Sequence, residues 1–287
     1  MASKAPKSKP FPPVLGLLAG GGQLPLQVAN AALAAGSRVV VVAFTGMPQP
    51  IVPAHKQVMR ARYPIGSVGK ILAFLREQSV HDVVLAGNLT KPSLFKIKPD
   101  MKGLALLARA LRKGDDSLLR TVCTVLAEEG FTVHAAHDLC PQLLAPTGAF
   151  GKIKPTKTQA NDIAVGAQVL AALGPLDIGQ AVVVKESVVL GVEAVEGTDN
   201  LLKRCADLRG KSKGGVLVKM AKPTQTTAAD LPTIGTQTIE LLKENGYAGV
   251  AMQAGKTLVL DLPKVVSMAN AAGLFVVGVD YAQSIEK

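Results

Sequence analysis

The chain has 287 residues, 48% of them apolar, and a formal charge of +11. That length holds two ordinary domains, and no apolar run reaches the roughly 18–20 uncharged residues of a membrane-spanning helix. With no secretory h-region either, a cytoplasmic protein is expected. The charge favours anionic partners, but aromatic residues make up only 3% and tryptophan is absent. Nucleic-acid binding is therefore disfavoured, leaving a phosphorylated small molecule or lipid.

Residues 1–13 combine three lysines with four prolines and predict a disordered basic tail. Val14 to Ala19 reads as a strand that runs into Gly20-Gly21-Gly22, then Gln23 and a helix ending at Gly36. Glycines in such a turn let backbone N–H groups approach a phosphate at the positive end of a helix. The spacing is not GxGxxG, and no acidic residue ends the next strand, Arg38 to Ala43, so the NAD reading is weak. Helix Lys70 to Glu77 and strand Asp82 to Ala86 follow, and the strand ends in Gly87-Asn88-Leu89-Thr90-Lys91. Asn88 and Lys91 would share the carboxyl edge of a parallel sheet with the glycine turn, although Asn88 also suits an Asx turn.

Helices over Gly103 to Arg112 and Ser117 to Glu129, and a strand over Phe131 to Ala135, complete an N-terminal domain at 14–137. Asp115 and Asp116 precede the second helix and read first as caps. Cys123, Cys140 and Cys205 lack CxxC spacing, and the four histidines include no HExxH pair. The His134/His137 spacing is a weak metal signal. Residues 138–157 are rich in proline, glycine and lysine and predict a hinge, with Leu143, Leu144 and Phe150 beside the cleft that it implies.

The C-terminal domain, 158–287, opens with helix Gln159 to Leu173 and a hairpin, Ala181 to Lys185 and Ser187 to Val195. Glu193, Glu196 and Asp199 then fall within seven positions, before helix Asn200 to Ala206. They serve as caps and surface charge, or this carboxylate group and Asp230 converge on a divalent cation, magnesium or manganese. Gly214 to Thr238 brings together Lys219, Lys222, Gln225, Asp230 and Thr233 just past a strand end. Asp230 either caps the next helix or takes part in chemistry on an anionic substrate. Helix Thr236 to Asn245, strands Gly249 to Gln253 and Thr257 to Asp261, helix Pro263 to Ala272 and strand Phe275 to Val279 finish the chain. The fold class is α/β in two lobes, an N-terminal Rossmann-like parallel sheet and a C-terminal mixed α/β domain, with a substrate cleft between them.

Six ordered stretches carry a resemblance: LLAGGGQLP at 17–25, AGNLTKP at 86–92, KGDDSLLR at 113–120, LDIGQAVVV at 176–184, VEAVEGTD at 192–199, and GGVLVKMAKPTQ with DLPTIG. Together they resemble the LpxI family of UDP-2,3-diacylglucosamine pyrophosphatases of lipid A biosynthesis. The resemblance implies metal-dependent hydrolysis of the pyrophosphate, yielding UMP and 2,3-diacylglucosamine 1-phosphate, with water attacking the sugar-side phosphorus. Asp230 matches the family's catalytic carboxylate. Gly20, Gly21, Gly22, Gln23, Asn88 and Lys91 match its nucleotide-facing lobe. The sequence departs from the family at Thr226 and Ala228, where an acidic residue and an arginine are common.

The expected mechanism uses a cation held by Asp230 with Glu196 or Asp199, Lys219 and Lys222 on phosphate oxygens, and Gln225 and Thr233 as orienting groups. Thr198 joins the substrate contacts or caps its helix. The partner is a UDP-linked diacylated glucosamine lipid, with no nucleic acid, and peripheral contact with the cytoplasmic face of the inner membrane is expected; a homodimer is compatible with the sequence. A non-hydrolysing nucleotide-sugar or phospholipid binding protein is the alternative.

Overall fold

The computed structural model describes residues 9–89, 99–111, 117–210, 212–222 and 231–281, which divide into two compact units at 141/142. The first contains β1 (Val14–Ala19), α1 (Leu24–Ala34), β2 (Arg38–Thr45), β3 (Val58–Pro64), α2 (Val68–Glu77), β4 (Asp82–Ala86), α3 (Met101–Leu111), α4 (Ser117–Glu128), β5 (Thr132–His134) and the short α5 (Ala136–Leu139). Its five strands pair in parallel in the order β3-β2-β1-β4-β5. The chain winds outward from β1 to β3 and then returns to β4 on the other side of β1. This reversal makes the carboxyl ends of β1 and β4 the switch point at which open α/β sheets bind ligands.

Strands β1 and β2 are almost wholly buried runs, as expected where helices cover both faces of a parallel sheet. One face packs Val40, Val42 and Phe44 against Ile71, Leu72 and Leu75 of α2, with Leu126 and Phe131. The edge strand β3 has no counterpart among the elements expected from sequence. Its VMRARYP run exposes Met59 and both arginines, so it lacks the continuous apolar signal of its neighbours.

The second unit holds β6 (Gly148–Ala149), α6 (Lys157–Leu173), β7 (Ala181–Lys185), β8 (Val188–Val192), α7 (Gly197–Arg209), β9 (Val216–Lys219), β10 (Thr233–Ile234), α8 (Thr236–Glu244), β11 (Gly249–Gln253), β12 (Leu258–Val259), α9 (Leu262–Ala272) and β13 (Phe275–Val279). Six strands form a mixed sheet, β6-β13-β11-β9-β7-β8, in which β9, β11 and β13 are parallel. The expected hairpin is β7–β8, turned by Glu186 and Ser187 at φ 51° and 67°. Positive φ at both central residues is the twist that two-residue hairpins favour. Asp162 of α6, 2% exposed, secures that turn by accepting from the Ser187 N–H at 2.6 Å and the Glu186 N–H at 3.2 Å.

Several local expectations change. The 257–261 segment does not join the six-stranded sheet; β12 instead pairs in parallel with β10, because Leu258 and Leu260 donate their N–H groups to Pro232 and Ile234. Helix α7 starts three residues earlier than expected, at Gly197, so Thr198 and Asp199 lie inside its first turn rather than before it. Within 138–157 the chain forms α5's end, a 3₁₀ turn at Pro141–Leu143 and β6, and both Leu143 and Phe150 pack inward, Phe150 against the second unit's core.

Candidate functional site

In the first unit the site is built from backbone. The Gly20 N–H donates to the Ala86 carbonyl at 2.9 Å, and Gly21 and Asn88 exchange N–H to carbonyl bonds at 2.9 Å each. The turns that follow β1 and β4 are thus joined directly. A Cβ on Gly20 would sit 2.5 Å from the Asn88 carbonyl oxygen. Gly87, at φ +94°, would place one 2.5 Å from the Gly21 oxygen, so both positions require glycine. Gly22 and Gln23 are exposed, Gln23 makes no side-chain cap, and the first turn of α1 has no acidic residue. The positive end of that helix therefore stays open to an anion. Gly20, Gly21, Gly22, Gln23 and Asn88 are brought together here; Lys91 lies outside the described residues.

In the second unit the site is built from side chains. Lys219 ends β9 and is 4% exposed. Its Nζ donates to Thr198 Oγ1 at 2.9 Å and to the Thr233 carbonyl at 3.3 Å. Thr198 Oγ1 in turn donates to Glu193 Oε1 at 2.7 Å, and Glu193 Oε2 accepts from the Gln180 N–H at 3.0 Å. Burial pulls the Lys219 ammonium below its ordinary pKa, opposed by the negative charges of Glu193 and Asp199. Among the described residues its third N–H has no acceptor, so a buried, oriented donor remains for a ligand.

The other proposed groups surround this cluster unequally. Lys222 forms an ion pair with Asp177. Thr233 contributes its carbonyl to Lys219, while its hydroxyl donates to the Leu231 carbonyl at 3.1 Å. Asp199 Oδ2 accepts from Gln237 Nε2 at 2.8 Å. Glu196 pairs with Arg204 at 2.8 Å and also accepts from the Ala194 N–H at 3.0 Å; the Arg204 hydrogen bond holds its carboxyl below the usual range. Both Glu196 oxygens are therefore engaged, whereas among the described residues one Asp199 oxygen has no donor. Among the described residues no three metal-binding side chains converge. Asp230, Gln225, Thr226, Ala228, Asp115 and Asp116 lie outside the described residues. The two spaced histidines are separated in role, His134 meeting Asp82 at 2.7 Å and His137 lying 3.8 Å from Asp138.

Sequence reasoning named Glu193 only within the carboxylate group, not as the partner of Thr198 behind Lys219, and did not anticipate Asp177. For Glu193 a signal existed: an acid directly after a strand, three residues before the EGTD turn. Its position at the base of the Lys219 chain depends on Gly179, at φ +59°, where a Cβ would lie 2.1 Å from the Glu193 carbonyl oxygen.

Models of the LpxI N-terminal domain and the LpxI C-terminal domain match residues 14–143 and 146–277. The chain is also 41% identical over 280 residues to the UDP-2,3-diacylglucosamine pyrophosphatase LpxI of Caulobacter vibrioides, covering 93% of this chain and 97% of the relative. With the two domain models matching most of the chain and the glycine turn and Lys219 cluster lying within the matched residues, this chain belongs to the LpxI family.

Proposed function

We propose that the chain hydrolyses the pyrophosphate of UDP-2,3-diacylglucosamine to UMP and 2,3-diacylglucosamine 1-phosphate. The observation that carries this reading is the 41% identity, extending over 97% of a relative that bears that activity in its name. The two local sites are compatible with it. An open helix end beside a glycine turn suits a phosphate, and a buried lysine whose third N–H has no acceptor among the described residues suits an oxygen on which charge develops.

In this reading the glycine turn and Asn88 orient the nucleotide end. Thr198 and Glu193 fix the Lys219 ammonium, which donates to a phosphate oxygen as the anhydride opens. Lys222 adds a second cation, Gln225 and Thr233 orient the group, and Asp230 is the catalytic carboxylate, carried over from the DLPTIG match. A divalent cation, magnesium or manganese, would neutralise the pyrophosphate. The described carboxylates fit it in part: Asp199 has an oxygen to offer, Glu196 has both committed to protein donors, and Asp230 would have to supply the rest.

No described helix is long and apolar enough to cross a membrane. A lipid substrate and a charge of +11 favour peripheral association with the cytoplasmic face of the inner membrane, and a homodimer belongs to the same proposal.

The deciding assay follows UMP release from UDP-2,3-diacylglucosamine with magnesium or manganese, then with chelator. Metal-dependent release is expected. Saturable binding of the lipid without release would favour the binding-protein alternative, for which the Thr226 and Ala228 departures are the motive.

A further inference from the structure

A cavity of about 400 Å³ opens on the first unit, beside the glycine turn, within the roughly 300–1,000 Å³ range of small-molecule sites. Its apolar lining comes from Val41 and Ala43 of β2 and from Ile51 and Val52, and its polar wall from Arg60 and Arg62 of β3. The strand register sets each arginine beside a small apolar residue, Val41 opposite Arg60 and Ala43 opposite Arg62. The segment that closes the cavity is tied to the glycine turn: Pro50 bridges Gly22, and Pro48 fills the space where a Cβ on Gly21 would lie, 2.5 Å away. In sheets with this strand order, a nucleotide phosphate on the first helix places its nucleoside beside the second strand. The cavity occupies that position.

Its chemistry selects among nucleosides. Arg60 Nη2 donates to the Pro53 carbonyl at 2.8 Å and the Val52 carbonyl at 3.3 Å, and Arg62 Nη2 donates to Gln49 Oε1. Each guanidinium is anchored by one nitrogen, and among the described residues its remaining N–H groups have no acceptor. Among the described residues no carboxylate lines the cavity. A donor-rich wall matches a base that presents two carbonyls. It opposes one that presents an exocyclic amino group, whose N–H would face other donors.

We propose that this cavity is the base-recognition subsite and takes uracil, with Arg60 and Arg62 donating to its two carbonyl oxygens over the Val41–Ala43 floor. The proposal rests on the reading of a UDP-linked substrate and adds to it which residues choose the base. It also accounts for two arginines on an edge strand that the phosphate site does not use.

Calorimetric titration with UMP, CMP and ribose 5-phosphate tests it on three proteins: wild type, an Arg60→Met/Arg62→Met double variant, and Ile51→Trp, which fills the cavity while keeping both arginines. Wild type is expected to prefer UMP over CMP by about tenfold or more, the effect of one charge-assisted bond. The double variant should lose that preference and about tenfold or more of its UMP affinity, with ribose 5-phosphate binding unchanged. Ile51→Trp should weaken UMP and leave ribose 5-phosphate alone, which keeps the test decisive if the double variant does not fold. Equal losses for UMP and ribose 5-phosphate would overturn the proposal by making the arginines phosphate ligands, and unchanged UMP affinity in a folded variant would overturn it outright. A parallel turnover assay separates the two readings. Hydrolysis of UDP-2,3-diacylglucosamine with an unaltered KM in the double variant removes the subsite and keeps the hydrolase. UMP selectivity without wild-type turnover removes the hydrolase and keeps the subsite.

Discussion

The two units build their candidate anion sites in opposite ways. In the first, glycines bring backbone groups of β1 and β4 together and leave a helix end open, so almost no side chain is needed. In the second, a lysine is taken out of water and oriented by a threonine, a glutamate and a carbonyl contributed by separate segments. A backbone site tolerates no Cβ but asks little of the neighbouring side chains. A side-chain site tolerates more backbone variation but fails when any partner in its chain is lost.

This contrast predicts where function and stability separate. Lys219→Met should have the largest effect, lowering kcat by about 10²–10³, the usual result of removing one oriented donor. Far-UV circular dichroism should be unchanged, and an unaltered kcat would break the comparison on the side-chain side. Gly87→Ala should act on the fold instead, destabilising the protein by roughly 2–3 kcal/mol because the new methyl meets the Gly21 oxygen at a positive φ. A urea titration with an unshifted midpoint would contradict the requirement for glycine.

Smaller effects sharpen the picture. Asp162→Ala removes the acceptor for two hairpin N–H groups and should cost about 1–3 kcal/mol by the same titration, without touching either anion site. The smallest effect is a pH dependence. Lys219 has a folded pKa below its ordinary 10.5, so in the interval between the two the unfolded chain binds more protons. Stability contributed at this position should rise with pH across that interval, and the slope should vanish in Lys219→Met. A wild-type and variant pair with identical slopes between neutral pH and 10.5 would show that the lysine is not desolvated.

Much of the first site could be read from the chain because its determinants are contiguous. Gly20-Gly21-Gly22 follows an apolar run, and Gly87-Asn88 follows another, so both turns were placed at strand ends before any pairing was known. The Lys219 chain was less legible. Lys219 and Thr198 stand 21 residues apart, and Thr198 and Glu193 five, and nothing in either spacing states that the three side chains meet. Asp177 as the partner of Lys222, 45 residues away, was hidden for the same reason.

The sequence alone determined which segments become buried parallel strands, where glycine must turn the chain, and which family's motifs it carries. These depend on local runs and on conformations that only glycine adopts without strain. Tertiary structure decided that β3 forms the edge, that β12 leaves the main sheet for β10, that Glu193 stands behind Lys219, and that Arg60 and Arg62 border a cavity beside the glycine turn. Such pairings are settled by burial and hydrogen-bond satisfaction between segments distant in the chain, which local pattern does not encode.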